Sequence, residues 1–376
     1  MFGKKSKQRQ PAKCVIRIDG KEIVDFYPYL EEVSVETSRK AAAVCTLTFA
    51  SVRNEKGMWN IQDSPLFKPW NKITVEAFFG THEEEIMRGF IRDIEASYPD
   101  DMNAVVTVTG QDESILLDRE NVQETFSTLA QPIMDDALIR DLLNTHWNGS
   151  QMDIATGKTC GALYFNGTPI QLIRDRTDLN GYEFYIRKGK AYFGPWNLTD
   201  DPQSVILIYA GMASNCLNFS VFHDGHRPDS VSFIEASESP DELTEMICNS
   251  SYPLLGLTPT TSKNQGLNDF TWRIQQPRGS TLAEREARAQ AKAEEAAWKI
   301  HATGELDGAA YGHVLETNRT VKVDGVGDTY GGLWYVDEVR HLFSANGYRQ
   351  AFQLIRNATG NKDSAGKADP LAQVRV

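Results

Sequence analysis

The sequence predicts a mainly β chain of α+β type, in which two antiparallel β-barrel domains flank a small α+β domain. Three observations carry that expectation. Apolar residues alternate at period two over both ends of the chain, the middle switches to helical spacing, and the order of segments at the first end recurs at the second.

The elements follow in order. Residues 1–13 hold Lys4, Lys5, Lys7, Arg9 and Lys13 without an acid. With no apolar stretch behind the charges, this reads as a basic flexible tail and not a secretory signal. Segments 15–18, 32–37, 45–50, 73–79, 86–98 and 104–109 carry β-branched or aromatic residues in alternation between turn-rich pieces. They read as the six strands of an antiparallel barrel or sandwich, the first domain, over residues 14–115.

In the α+β domain, residues 116–200, Met134, Leu138, Ile139, Leu142 and Leu143 fall on one face of a helix over 133–143. A second helix starts at Thr168-Pro-Ile-Gln171, a capping box with proline at the first helical position, and stops at Asn180-Gly181. Segments 182–187 and 190–193, joined at Lys188-Gly189, read as a hairpin.

Strands resume at 204–209, 217–222 and 230–234 in a second β domain over 201–357, interrupted by an irregular insertion at about 235–280. Thr281-Leu-Ala-Glu284 is a capping box that opens an alanine-rich helix over 281–302, with Glu284/Arg288 and Glu295/Lys299 as i,i+4 pairs. Alanine lets a helix approach a sheet closely, so packing across the barrel is expected of it. Strands 320–324, 333–343 and 348–355 complete the fold, and residues 358–376 read as a C-terminal tail.

The repeat is the sharpest internal signal. Ile73-Thr-Val-Glu-Ala77, Gly89-Phe-Ile-Arg-Asp-Ile-Glu95 and Ala104-Val-Val-Thr-Val-Thr109 run in the same order as Thr320-Val-Lys-Val-Asp324, Trp334-Tyr-Val-Asp-Glu-Val-Arg340 and Arg349-Gln-Ala-Phe-Gln-Leu354. Its apolar positions are the expected barrel core: Ile73, Val75, Phe90, Ile91, Ile94, Val106 and Val108 in the first copy, with Val321, Val323, Trp334, Val336, Val339, Phe352 and Leu354 in the second.

Composition narrows the function. Thirty-nine Lys and Arg stand against 51 Asp and Glu in 376 residues, a net charge of −12. Gripping a phosphate backbone relies on clustered cations that release counterions, so this balance argues against it. It is compatible with a surface that nucleic acid passes without sticking. No stretch approaches the roughly 20 apolar residues of a membrane span. Five well-separated cysteines, Cys14, Cys45, Cys160, Cys216 and Cys248, fit reduced cytoplasmic folding better than a disulfide framework or a zinc site. The Asn-x-Ser/Thr matches at Asn148 and Asn166 then carry no meaning.

The remaining motifs point away from chemistry. Gly325-Val-Gly327 to Gly331-Gly332 lies between two strands and lacks the helix that a dinucleotide loop needs, so it reads as a hairpin loop. His223-Asp-Gly-His226 reads as a surface turn, and His82-Glu-Glu-Glu85 as a solvated hairpin tip in preference to a cation site. The Asp100-Asp101, Asp135-Asp136 and Asp200-Asp201 pairs sit at turns or at a helix start, where carboxylates stabilise ends. Trp334 and Tyr335 read as core aromatics. No catalytic residue, cofactor or metal is expected.

The segment from Thr168-Pro-Ile-Gln through Leu179-Asn-Gly-Tyr-Glu-Phe-Tyr-Ile186 to Lys190-Ala-Tyr-Phe-Gly194 resembles the middle of the phage late-control gene D protein family. These are baseplate hubs of contractile tails, related to the hub half of type VI secretion spike proteins. Gly304-Glu-Leu-Asp-Gly308, Gly332-Leu-Trp-Tyr-Val-Asp-Glu-Val-Arg-His-Leu-Phe343 and Gly347-Tyr-Arg-Gln-Ala-Phe-Gln-Leu-Ile-Arg356 resemble its end, so that the pattern spans residues 13–357.

The resemblance implies two tail-tube-like barrels per chain and a homotrimer whose six barrels join a sixfold tail tube, or a tube-initiator protein, to a threefold spike. It implies a non-enzymatic virion protein of the tail baseplate, assembled in the host cytoplasm beside other baseplate components. Nucleic acid would pass through the channel without specific binding. The chain departs from fused spike proteins in lacking an oligonucleotide-binding-like domain, a β-helix and a lysozyme-like segment, so a separate spike protein is expected. The alternatives are a peptidoglycan or polysaccharide hydrolase working through two carboxylates about 5–10 Å apart, or a carbohydrate-binding module using Trp147 or Trp196.

Overall fold

The computed structural model describes residues 12–99, 104–147, 149–236, 243–261, 267–277 and 280–362. Residues 1–11 of the basic N-terminal tail, Asp100-Asp101 and most of the C-terminal tail lie outside the described residues, and Lys13, read as the end of the tail, instead begins a strand. The architecture is mainly antiparallel β, with one 13-stranded sheet curled into a half-barrel.

Twelve strands build that sheet, together with the two-residue strand Lys21–Glu22. The first half contributes β1 (Lys13–Ile18), β2 (Leu30–Ser38), β3 (Val44–Ser51), β4 (Lys72–Phe78), β5 (Glu83–Ser97) and β6 (Ala104–Asp112). The second contributes β7 (Gln203–Leu207), β8 (Cys216–His223), β9 (Ile300–Asp307), β10 (Thr320–Asp324), β11 (Gly332–Ser344) and β12 (Gly347–Arg356). Spatial order in the first half is β2-β3-β6-β5-β4-β1, and in the second β8-β9-β12-β11-β10-β7. The two orders are identical when six is added to each label. One difference lies at the far edge, where β1 runs antiparallel to β4 while β7 runs parallel to β10.

The repeat extends to irregularities. The pairing of β5 with β6 shifts between Ile91 and Asp93, and that of β11 with β12 between Val336 and Glu338. Each long strand thus carries one extra residue, Arg92 or Asp337, at the equivalent place, and a bulge there bends the strand around the core. Across the bulges Asp93 faces Thr109 and Glu338 faces Gln353. Thr109 is therefore the counterpart of Gln353, one residue from the Leu354 that the sequence repeat aligned with it, because two closing strands without gaps carry no marker of register.

The halves join edge to edge. The C-terminal part of β11 pairs antiparallel with β2, from Glu338 opposite Ser38 to Phe343 opposite Val33. Each half keeps its own core: Ile16, Val35, Leu47, Phe49, Ile73 and Val108 in one, and Ile206, Leu306, Val323, Trp334, Val336 and Leu354 in the other.

Between the halves, α1 (Asp135–His146) and α2 (Pro169–Asn180) pack on a three-stranded sheet of Glu183–Arg187, Lys190–Gly194 and Gln151–Ile154. The N-terminal signal of α2 is realised by a hydrogen bond from the Thr168 N–H to Gln171 Oε1, 3.0 Å, and its end by Gly181 at φ 66°. The strands Gln151–Ile154, Val122–Ser127 and Leu163–Gly167 are additions to the sequence reading.

Expectations around the alanine-rich helix and the insertion before it are corrected. The alanine-rich helix, α3, spans Leu282–Ala296, not 281–302, and Ile300–Asp307 is strand β9. The break at Trp298-Lys-Ile300 turns apolar alternation inward for β9, and Lys299 reaches Asp229, 2.5 Å away, so the expected Glu295/Lys299 pair is not formed. Nor does α3 cross the barrel. Its Ala289 and Ala293 pack against Val231 and Phe233 of Ser230–Ala236, in a separate sheet with Leu243–Cys248 and Thr271–Arg273. That sheet brings order to the insertion read as irregular.

Candidate functional surface

Of the fourteen expected core positions, twelve are buried: Ile73, Val75, Ile91, Val106, Val108, Val321, Val323, Trp334, Val336, Val339, Phe352 and Leu354. Phe90 and Ile94 are half-buried. Phe90 faces Gln111 on the opposite side of the sheet, beside Trp70 with ring centroids 6.4 Å apart, because the bulge at Arg92 follows it. Ile94 corresponds to Val339, yet the strand that covers Val339, β2, has no counterpart beside Ile94 among the described residues.

That asymmetry defines two free edges. The C-terminal part of β5, Asp93 to Ser97, pairs with β6 on one side only, and β8 pairs only with β9 among the described residues. Through the repeat, β5 is the equivalent of β11 and β8 of β2. The two free edges are therefore the two halves of a junction that the chain makes once internally. They carry exposed apolar groups, with Phe222 65% and Leu217 53% accessible on β8 and Tyr98 57% accessible just past β5. An unpaired edge of this kind presents backbone N–H and C=O groups that another strand could pair with.

The outward face of the sheet is polar and continuous across both halves. One row runs Asn218, Glu305, Ala351, Arg340, Glu36, Val44 and Gln111, each directly opposite the next. Its neighbours run Ser220, Thr303, Gln353, Glu338, Ser38, and Asp307, Arg349, Leu342, Ser34, Thr46, Thr109, Asp93. Cations on these rows are matched by acids: Arg349 lies 3.2 Å from Asp307, and Arg340 lies 3.5 Å from Glu36 and donates to Ser34 Oγ at 3.0 Å. Such a face presents carboxylates and hydroxyls, and few unmatched cations among these rows to hold a polyanion.

The seams beneath this face are tightly built. At the junction of the halves His341 is buried with its Nδ1 2.9 Å from the Tyr348 hydroxyl, and burial holds the imidazole down at about 3. Where the α+β unit meets β11, the Tyr335 hydroxyl donates to Glu183 Oε2 at 2.7 Å, and burial raises that carboxyl to about 7 against the pull of Arg39. Arg39 lies over the Trp196 ring at 4.1 Å and binds Asp337 at 2.8 Å.

The candidate chemical motifs resolve structurally. Asp135, one of the paired carboxylates, is buried at the start of α1 and receives Arg176 Nε at 2.6 Å and Asn180 Nδ2 at 2.7 Å, while Arg176 also bonds Glu284 at 3.0 Å. The sequence reading of Asp135 as a helix-end charge missed this network, whose partners are far apart in the chain. Trp147 is 2% accessible, and Trp196 packs against Trp298 and Tyr335, with centroids 4.8 and 5.2 Å away, under the Arg39 guanidinium. Neither offers a face to a glycan. His226 closes a turn by donating its N–H to Asp224 Oδ1, 2.9 Å. The glycine-rich loop holds the helical turn Gly327–Tyr330 between β10 and β11. All five cysteines are free thiols, and no helix of the described residues is long and apolar enough to cross a membrane. His82, Glu84 and His313 bring their ligand atoms within 4.8 Å of one another, a convergence of the two halves that local motifs in the sequence do not reveal.

Comparison with known proteins identifies the fold. No family model and no curated protein matches the chain. Among solved structures it is similar to the 43 kDa tail protein of prophage MuSo2 from Shewanella oneidensis, at 13% identity and TM-score 0.68, over 93% of this chain and 99% of that one. A tail protein from Neisseria meningitidis is similar at 13% identity and TM-score 0.63, over 93% and 97%. An E. coli component of the type VI secretion system, described as structurally similar to the T4 tail proteins gp27 and gp5, aligns at 8% identity and TM-score 0.54 over 92% and 76%. The chain has the fold of these tail proteins.

Proposed function

We propose that the chain is the structural, non-enzymatic hub of a contractile-tail baseplate or related injection particle. Three copies form a ring that joins a sixfold tail tube to a separate threefold spike and lines the delivery channel. The fold shared with tail proteins supports a part in such a particle. The observation that carries the finer reading is the junction made once and left open once. β11 pairs with β2 inside the chain, while the equivalent edges, β5 and β8, stand free among the described residues. Placing β8 of one copy against β5 of the next repeats the internal junction head to tail, and such a contact closes into a ring when its rotation divides the circle. Six equivalent sheet halves then come from three chains. The polar outward rows supply a channel wall that lets nucleic acid pass without gripping it.

Sedimentation and negative-stain microscopy test this. The expected species has three times the 42.1 kDa chain mass and a ring outline with six parts. Phe222→Asp, which puts a charge on the exposed edge of β8 without entering a core, is expected to return the chain to monomer with its fold intact. A chain that stays monomeric at high concentration and binds neither tube nor spike overturns the proposal.

A further inference from the structure

We propose that His82, Glu84 and His313 form a transition-metal site, of the zinc type, that ties the rim of the first half of the sheet to the second. His82 sits in the turn between β4 and β5, and Glu84 is the second residue of β5. His313 follows the helical turn Gly308–Tyr311 between β9 and β10. The site thus draws on both halves of the repeat and depends on no property of the assembled particle.

The donor geometry carries the assignment. Glu84 Oε1 lies 3.3 Å from His82 Nε2 and 2.7 Å from His313 Nδ1. A tetrahedral ion with bonds of about 2.0–2.1 Å to nitrogen and oxygen keeps its ligand atoms roughly 3.3 Å apart. Of the three pairs, His82 with Glu84 already has that separation, Glu84 with His313 has to open from 2.7 Å, and the two imidazole nitrogens lie within 4.8 Å of each other, adjustments that side-chain rotation at an accessible surface supplies. Two imidazoles and a carboxylate suit zinc, cobalt or nickel, whereas calcium and magnesium call for more oxygen ligands. A position is left for water.

The surroundings orient each donor, as supporting groups do at metal sites. Thr81 Oγ1 lies 3.3 Å from His82 Nδ1, which leaves Nε2 to face the site, and the ring stacks on Phe79 with centroids 5.3 Å apart. Glu84 Oε2 accepts the Val314 N–H at 2.7 Å, so Oε1 is the oxygen turned toward both imidazoles. Gln350 Nε2 donates to the His313 carbonyl at 2.8 Å and holds the backbone that presents the ring. A carboxylate shared by two histidines can also be a plain hydrogen-bonded cluster, and the experiment separates the two.

The test is calorimetric titration of zinc into the untagged, chelator-stripped full chain, with the visible spectrum of the cobalt form as a second readout. The expected result is one ion per chain and tetrahedral cobalt bands. His82→Ala and His313→Ala, both surface substitutions, each weaken binding by about 100-fold or more, beyond the 10–100-fold typical of losing a supporting group. His226→Ala, in the distant turn, is expected to leave affinity unchanged. Binding that is undetectable, that survives in the His82→Ala/His313→Ala double variant, or that falls equally in His226→Ala overturns the site.

Discussion

His341 and Glu183 sit at two seams of the molecule, and burial moves their protonation in opposite senses. For His341 the folded form is held at about 3 against an ordinary 6.5, so the unfolded chain binds the extra proton first. Stability from this residue is present above pH 6.5 and is lost as pH falls toward 3. Glu183 is raised from 4.5 to about 7, so its contribution is present below pH 4.5 and lost as pH rises through 7. Between pH 4.5 and 6.5 the two slopes oppose each other at up to about 1.4 kcal/mol per pH unit each. His341→Gln is therefore expected to become more stable on acidification from pH 6.5 to 4.5, and Glu183→Gln less stable, in urea unfolding across that range. The same sign in both variants would show that these groups do not govern the seams. Neither residue was legible as special in the sequence. His341 is one of several scattered histidines until Tyr348 and strand β2 close over it, and Glu183 is an ordinary hairpin acid until Tyr335 reaches it.

Elements were legible wherever one face met a core and the other met solvent, because alternation then records the sheet directly. The runs that became β3, β4 and β6 are of this kind, with burial alternating residue by residue. Short strands such as Gln151–Ile154 and Val122–Ser127 lack that contrast, since little of either is deeply buried. The end of α3 was overrun because alanine and lysine continue the helical composition into a segment whose conformation is set by pairing with β8 and β12. The repeat survived in the order of strands and in the bulges at Arg92 and Asp337, and not in residue identity. One consequence belongs to the polar face as an element. Glu36, Glu95 and Glu338 all lie on it, and replacing the three with lysine is expected to make the protein retard DNA in gels at low salt, with the effect lost as salt rises. The native chain should not retard DNA under the same conditions; equal binding would contradict the non-adhesive channel wall proposed for this face.

For the whole molecule, the candidate surface was only partly visible in the sequence. The acidic balance and the repeat were there to read. The free edges were not, because an edge is defined by what a strand fails to pair with, and only the fold reveals that Ile94 lacks the cover that its counterpart Val339 receives. The proposed ring contact takes its register from the internal junction. Leu342 of β11 faces Ser34 of β2, and their equivalents through the repeat are Ser97 of β5 and Ser220 of β8. Opposed residues on neighbouring strands lie about 4.5–5.5 Å apart, within disulfide reach. A Ser97→Cys/Ser220→Cys variant, oxidised under mild conditions and run on a non-reducing gel, is thus the most direct test of the ring. The account predicts cross-links between chains that run up to a covalent trimer and stop there; an absence of cross-linking, or an open ladder beyond the trimer, would contradict it.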